Sequence, residues 1–438
     1  MTLPGAPFLE RRGAELQLEG QVLAALARRH GTPLYVYSRA AMRAALAGYQ
    51  RALQGRRHLV CYAMKANSSL AVLQTFAEAG CGFDIVSAGE LERVLAAGGA
   101  AHKVVFSGVG KTRDEMAFAM QPGADAGTNG VRCFNVESRA ELDRLDEVAR
   151  ALGRRAPVSL RVNPDVDART HPYISTGLKS NKFGIAHAEA LATYRHAATL
   201  AGIEVVGIDC HIGSQITEVE PYLDALDRLL DLVEAVEAAG VPIRHIDVGG
   251  GLGITYTDEA PPAPAALVAR LLQRLDARGH GGRELLLEPG RSLVGNAGVL
   301  LTEVQYLKRG APADVAAGAA RNFCIVDAAM NDLMRPALYE AWMRIEPCLR
   351  RDAAAERWDV VGPVCESGDW LGRDRELAVA PGDVLAVLSA GAYGMSMASN
   401  YNSRPRAAEV MIDGAQVHLI RAREQTRELY AHERLLPR

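Results

Sequence analysis

Between residues 59 and 288, short β-branched runs alternate with longer Ala- and Leu-rich stretches of helical period, and this alternation constrains the fold more than any other feature of the chain. Eight strands are predicted, at 59–64, 82–86, 104–107, 133–136, 158–162, 205–211, 244–248 and 284–288. Seven helices fill the intervals, at 70–79, 88–97, 113–120, 139–152, 188–200, 221–239 and 263–277, with Gly80, Gly98, Gly153 and Gly240 placed to end four of them. Eight such βα units close naturally into a barrel. After Arg291 the rhythm stops and β-like segments take over, at 299–307, 322–326, 358–365, 383–388 and 406–411. The expected class is α/β: a TIM-like (β/α)8 barrel over residues 36–290, with a β-rich sandwich or barrel domain built from 291–438 that also takes residues 1–35. The stretches 257–264 and 310–320 are predicted to be surface loops.

In barrels of this kind the chemistry gathers where strands end and loops begin. Here those positions carry Lys65, Asp84, Ser107, Glu137, Asn163, His211, the triplet Gly249-Gly250-Gly251 and the run Glu288-Pro289-Gly290-Arg291. Lys65 follows the apolar run 58–61, so the first strand ends by delivering one amine into a cleft. An ammonium among apolar side chains loses hydration and its pKa falls, which frees the amine to attack an aldehyde, pyridoxal phosphate being the natural one. His211 can stack on a flat cofactor while Gly213 and Ser214 offer a backbone N–H and a hydroxyl to a phosphate; a buried histidine satisfied by backbone is the plainer alternative. The glycine triplet can converge its N–H groups on an anion, or can form a tight turn and nothing more. It is not followed by the Gly-x-Gly-x-x-Gly pattern of a dinucleotide site.

Glu288 to Arg291 combine a carboxylate, an open backbone and a guanidinium. A carboxylate beside a pyridine nitrogen keeps that nitrogen protonated and makes the ring an electron sink. Gly290 and Arg291 can complete a phosphate cup, and the Arg291 fork also suits a substrate carboxylate; a structural salt bridge is the other reading. In the β-rich part, Cys365-Glu366-Ser367-Gly368-Asp369 carries a thiol, and Gly391-Ala392-Tyr393-Gly394 a tyrosine within a turn.

Forty-nine basic against 52 acidic side chains, a net charge of −3 and no basic block argue against a nucleic-acid arm or a membrane patch. Small molecules are the expected partners. Seven cysteines without a Cys-x-x-Cys pair fit a reducing compartment and neither a disulfide framework nor a zinc site, so no metal is expected. Residues 1–12 hold no apolar stretch leading to a cleavage site, and no run is long and uncharged enough to cross a bilayer; a cytoplasmic protein is expected.

Taken in order, these motifs have a specific counterpart. They are Gly31-Thr32-Pro33-Leu34-Tyr35-Val36-Tyr37, Tyr62-Ala63-Met64-Lys65-Ala66-Asn67, Phe83-Asp84-Ile85-Val86-Ser87-Ala88-Gly89-Glu90, Cys133-Phe134-Asn135-Val136-Glu137-Ser138, residues 171–185 with Lys182-Phe183-Gly184, the glycine triplet, Glu-Pro-Gly-Arg and the Cys365 segment. Over nearly the whole chain this series resembles the fold-type III pyridoxal-phosphate decarboxylases. The resemblance implies that Lys65 is the Schiff-base lysine, that Asp84 belongs to the cofactor site, that His211 stacks on the ring and that Glu288 pairs with the pyridine nitrogen. Ser214, Gly250, Gly251, Gly290 and Arg291 would surround the phosphate, and Tyr393 would close the site beside the substrate. It further implies a homodimer with shared active sites, in which Cys365 and Glu366 reach across from the partner chain and Cys365 serves as the acid. Arg291, Arg335 and Tyr339 would hold a distal carboxylate and Glu366 a distal ammonium. The implied reaction is decarboxylation of meso-2,6-diaminopimelate to L-lysine and carbon dioxide, the last step of lysine biosynthesis. Decarboxylation of ornithine, lysine, arginine or a carboxylated polyamine on the same fold is the alternative. Two departures stand out: residues 121–130 are longer than the pattern leads one to expect, and Ala407 stands where a proline is common.

Overall fold

The computed structural model describes residues 2–121, 130–166 and 181–437, apart from the side chains of 315 and 316; most of the 121–130 loop and of the 171–183 segment therefore lies outside the described residues. The chain divides into two compact units. One comprises Arg43–Ile254 and Ala260–Leu293, the other Met1–Met42, Thr255–Glu259 and Val294–Arg438.

The first unit is an eight-stranded parallel barrel. Its strands are β1 (His58–Ala63), β2 (Gly82–Ile85), β3 (Val104–Phe106), β4 (Cys133–Val136), β5 (Ala156–Asn163), β6 (Ile203–Asp209), β7 (His245–Asp247) and β8 (Glu284–Leu287). Neighbours in sequence are neighbours in the sheet, and β8 returns to pair with β1 through Leu285–His58, Leu286–Leu59 and Leu287–Val60, which closes the ring. The helices between them are α1 (Leu70–Glu78), α2 (Ala88–Ala96), α3 (Arg113–Ala119), α4 (Arg139–Ala151), α5 (His187–Thr199), α6 (Glu220–Ala238) and α7 (Pro264–Ala277).

Local chemistry explains where these helices begin. Ser87 and Ser138 accept hydrogen bonds from the backbone N–H groups of Glu90 and Glu141, and Thr112 forms a reciprocal capping box with Glu115, so α2, α4 and α3 start with exposed donors satisfied. Gly240, in the left-handed region at φ +85°, turns the chain out of α6 at no side-chain cost.

Alternation along the strands sorts the barrel interior into layers. Cys133 on β4 and Leu286 on β8 belong to an apolar cluster with Leu59, Cys61, Val105 and Val206. Two residues further along, on the same faces, stand Asn135 and Glu288. The barrel is thus filled by hydrocarbon toward its N-terminal end and by polar groups at its C-terminal mouth.

The second unit is β-rich. Its main sheet runs in the order Trp370–Leu377, Glu356–Val361, Phe323–Val326, Gly298–Lys308, Leu34–Ser38, Ala408–Asp413 and Gln416–Arg421, and the strand pair Ile345–Pro347 and Val384–Val387 joins it at Gly298–Lys308. Leu34–Ser38 is held on both sides, by Gly298–Leu301 antiparallel and by Ala408–Ile412 in parallel, so the N-terminal segment is a central strand of this unit. Leu9, Leu18, Leu34, Val36, Val299, Leu301, Val410 and Ile412 form its core. At about 1.5–3 kcal/mol for each fully buried aliphatic side chain, a charge at Val36 would cost this unit dearly.

Two expectations need correction. Residues 310–320 include a short helix, Pro312–Ala316, rather than loop alone. The strand expected to reach residue 365 ends at Val361. Gly362 packs so closely that an added Cβ would lie 2.5 Å from Asp369 Oδ2, and Pro363 then has no N–H to continue a ladder. Cys365 consequently sits on a turn.

Candidate active site

Each barrel strand contributes to the mouth. Lys65 lies in a single turn of 3-10 helix, Met64–Ala66, directly after β1. The turn is fixed from below by Tyr62, whose hydroxyl donates to Asn67 O at 2.9 Å and whose ring packs 4.4 Å from that of Phe76. Lys65 Nζ is 3.0 Å from Asp84 Oδ2 at the end of β2, with the lysine side chain 41% exposed and the aspartate 1%. The amine is therefore seated on a buried carboxylate while its side chain stays partly exposed. This replaces the apolar surroundings expected for it.

His211 follows β6. Its Nδ1 accepts the Gly250 N–H at 3.2 Å, which leaves Nε2 as the protonated nitrogen and fixes the ring plane. Burial, followed by the charges of Arg161 and Lys65, pushes its pKa well below the ordinary histidine value, so the ring is neutral. The Gly250 N–H, expected to face a phosphate, is thus engaged by the imidazole.

The loops after β6, β7 and β8 are interlocked. Ile216 N donates to Gly251 O at 2.9 Å and Glu288 N to Gly249 O at 2.7 Å. A Cβ at Gly250 would lie 1.9 Å from Glu288 O, and one at Gly251 2.3 Å from Gly213 O. Only glycine permits that approach. Next to these loops, Arg291 Nη2 donates to Ser214 Oγ at 3.0 Å with the arginine itself buried. Gly290 rests on Ala63, an added Cβ there meeting the Ala63 Cβ at 3.1 Å. A cation, a hydroxyl and a bare backbone therefore stand together, the donor set that suits a phosphate.

Glu288 faces the barrel axis, where Asn135 Nδ2 approaches its Oε1 at 3.3 Å. Asp209 and Asp247, register partners on β6 and β7, each bring one carboxylate oxygen within 4.8 Å of one oxygen of Glu288. Burial, and then the neighbouring carboxylates, raise Glu288 and Asp209 well above the usual carboxyl range and bring Asp247 to about 7. Across the mouth, Arg161 Nη1 pairs with Glu137 Oε1 at 2.9 Å, and Glu137 also accepts from Gly108 N and Gly184 N.

Sequence reasoning passed over Arg161, Asp209 and Asp247. Their signal was present: each is a charge inside an apolar strand, in Leu160-Arg161-Val162, Ile208-Asp209-Cys210 and Ile246-Asp247-Val248. A charge so placed in a closed barrel must point to the axis and find a partner there.

The remaining expected residues lie in the β-rich unit. Arg335, buried, opens the helix Arg335–Tyr339; its Nη1 donates to the Tyr256 hydroxyl at 2.6 Å and its guanidinium lies 4.9 Å from that ring's centroid. Tyr339 closes the same helix, and Tyr393 adopts φ +55° in the turn after the strand Val384–Val387. Glu366 Oε2 accepts the Tyr401 hydroxyl at 3.0 Å, and Cys365 N donates to Asn402 Oδ1 at 3.3 Å. All seven thiols are free, and Cys365 alone is exposed.

Residues 39–295 match the family described as pyridoxal-dependent decarboxylase, pyridoxal binding domain. The chain is 59% identical to diaminopimelate decarboxylase of Pseudomonas aeruginosa over 97% of its own length and 98% of that protein's. It belongs to the diaminopimelate decarboxylase family. The Vibrio cholerae member is 54% identical over 98% of this chain and 99% of its own. The M. jannaschii diaminopimelate decarboxylase, solved in complex with L-lysine, superposes with a TM-score of 0.90 at 38% identity, covering 99% of both chains. The family's pyridoxal cofactor fits what the barrel mouth offers: an amine on Lys65, a neutral ring on His211, a buried acid on Glu288 and the Arg291–Ser214 pair beside bare glycine backbone.

Proposed function

We propose that the chain removes the α-carboxyl group of meso-2,6-diaminopimelate as carbon dioxide, giving L-lysine, with pyridoxal phosphate bound at the mouth of the barrel. The observation that carries this reading is the placement of Lys65, His211, Glu288 and the Arg291–Ser214 pair at the ends of β1, β6 and β8 of one closed barrel. When bound, the cofactor supplies an electron sink for the carbanion that decarboxylation leaves.

The chain's own groups divide the work. Lys65 supplies the amine that holds the aldehyde, and the Asp84 carboxylate keeps that nitrogen oriented. His211, neutral and pinned by Gly250, presents a flat uncharged face to the ring. Glu288 faces the pyridine nitrogen, while Arg291, Ser214, Gly251 and Gly290 enclose the phosphate, Gly250 pins His211 beside them, and Tyr393 closes the site. Arg335, Tyr339 and Arg291 take the distal carboxylate of the substrate, and Glu366 the distal ammonium. The exposed Cys365 thiol donates the proton that replaces the lost carboxyl group. It does so from the partner chain of a cytoplasmic homodimer. No helix among the described residues is long and apolar enough to cross a membrane.

Release of carbon dioxide, measured across diaminopimelate, ornithine, lysine and arginine, tests the assignment. Turnover of diaminopimelate alone is expected, because a buried arginine in the substrate set would be left facing an alkyl ammonium by ornithine and lysine and a guanidinium by arginine. Faster release from ornithine or lysine would transfer the protein to the basic-amino-acid decarboxylases.

A further inference from the structure

Under the proposed function Arg335 takes the distal carboxylate, and a long flexible side chain does not aim a forked donor unaided. Its backbone is settled first. Ala329 N donates to Asp332 Oδ2 at 3.0 Å, and Asp332 N and Leu333 N donate to Ala329 O at 2.9 and 3.1 Å, which closes the turn leading into the helix Arg335–Tyr339. The side chain beyond still has its rotamer freedom to lose. Tyr256 removes it: Arg335 Nη1 donates to the phenol oxygen at 2.6 Å, the guanidinium lies 4.9 Å from the centroid of the same ring, and both side chains are buried. A guanidinium gripped at one nitrogen and packed against that ring keeps one plane.

Tyr256 is itself held in place. It follows β7 on a segment that starts from Ile254, whose C=O accepts from the Gln215 amide at 2.7 Å and whose N–H donates to it at 3.1 Å. Thr255–Glu259 then count with the β-rich unit, although the residues on either side belong to the barrel. Within this excursion the Glu259 carboxylate accepts the Tyr256 and Thr257 N–H groups at 2.9 and 2.7 Å, and the Thr255 hydroxyl donates to Glu259 O at 2.8 Å. The phenol is therefore presented from a loop tied at both ends.

We propose that Tyr256 is a positioning residue for substrate selection: it holds the Arg335 guanidinium in the orientation from which the other donors of the fork grip the distal carboxylate, and Glu259 braces the loop that carries it. The proposal rests on the reading above that Arg335 takes that carboxylate. Tyr256 acts through the arginine and needs no contact with the substrate. Its effect is preorganisation: the fork is oriented when the protein folds rather than when the ligand arrives, so a ligand that carries the carboxylate is favoured and one that lacks it gains nothing.

Two ligands read this without turnover. L-Lysine, the product of the proposed reaction, and cadaverine, which is lysine without its carboxyl group, are titrated into the holoenzyme, and each Kd is taken from the change in the visible absorption of the bound cofactor. In the wild-type protein lysine should bind about tenfold more tightly or better. Tyr256→Phe keeps the ring and removes the acceptor; the Kd of lysine should rise by about fivefold or more while that of cadaverine stays within about twofold. In Arg335→Ala the preference should collapse, and adding Tyr256→Phe to that variant should change nothing further, since the tyrosine then has no arginine to act through. Equal weakening of both ligands in Tyr256→Phe would make the tyrosine merely structural and overturns the proposal. So does an unaltered preference in Tyr256→Phe beside a collapsed one in Arg335→Ala. A preference that survives Arg335→Ala takes the arginine off the distal carboxylate, and the proposal goes with it. Glu259→Ala tests the brace without touching the buried pair: a reduced preference for lysine is expected, and an unaltered one overturns that part.

Discussion

Arg335 is a guanidinium taken out of water with one phenol hydrogen-bonded to it and the same ring stacked beneath it. Those contacts fix the plane of the guanidinium, whose fork suits a carboxylate. If Arg335 holds the distal carboxylate as proposed, replacing it by alanine removes a charge-assisted interaction from the bound substrate. The Michaelis constant for diaminopimelate should rise by about tenfold or more, with a smaller change in kcat. Steady-state kinetics with an unchanged Michaelis constant would place the distal carboxylate elsewhere. Cys365 shows a related contrast at the same scale: burial pushes Cys81 and Cys348 up to about 12, so their thiols are inert, while Cys365 lies open on its turn.

Among the elements, the ends of β3 and β4 depend on a single buried lysine. Lys111 Nζ donates to Gly108 O, Asn135 O and Glu141 Oε1, each at 2.8 Å, and so ties two strand ends to the first turn of α4. Its ammonium is fully used. Lys111→Met would strand Glu141 and is expected to lower stability by about 3–5 kcal/mol, read as a fall in the urea midpoint. A midpoint close to the wild type would show that Glu141 simply takes a proton. At this scale, too, the limits of sequence reading are physical. All eight barrel strands were legible to within two residues at either end, because each is an apolar run bounded by turn chemistry. Trp370–Leu377 was not, since its Arg-Asp-Arg-Glu core alternates charge rather than hydrophobicity. Lys65, His211, Glu288 and Arg291 could be found because strand ends are marked by position. Asp209 and Asp247 could not, because their roles depend on register between β6 and β7, which no single segment encodes.

For the molecule as a whole, acid stability carries a term from His245. The ring fills the space above Gly207, where a Cβ would lie 2.0 Å from Nε2, and burial pushes its pKa down to about 3. Because the folded value lies below the unfolded one of about 6.5, the histidine's contribution is complete above that pH and is lost as pH falls toward the folded value. The slope within that window should approach about 1.4 kcal/mol per pH unit, and it should be absent from His245→Gln when the two proteins' urea midpoints are compared across the range. Parallel slopes for the two would mean that the ring is already protonated in the fold. Assembly gives a second test. Lys65→Ala and Cys365→Ala proteins should each be inactive, yet mixing them under conditions that exchange subunits should restore part of the activity, since one site of each mixed dimer then has both groups. Mixtures that stay inactive would confine the site to one chain.

The seam where β8 meets β1 carries one last consequence. Lys65 and Glu288 stand at the ends of strands that are the first and last of the barrel in chain order, yet are adjacent in the sheet. A nascent chain emerging from the ribosome therefore has the amine proposed to hold the coenzyme long before it has the acid proposed to face the coenzyme ring. Vitamin capture must wait for the final strand to dock, so truncated translation products should be unable to sequester the coenzyme.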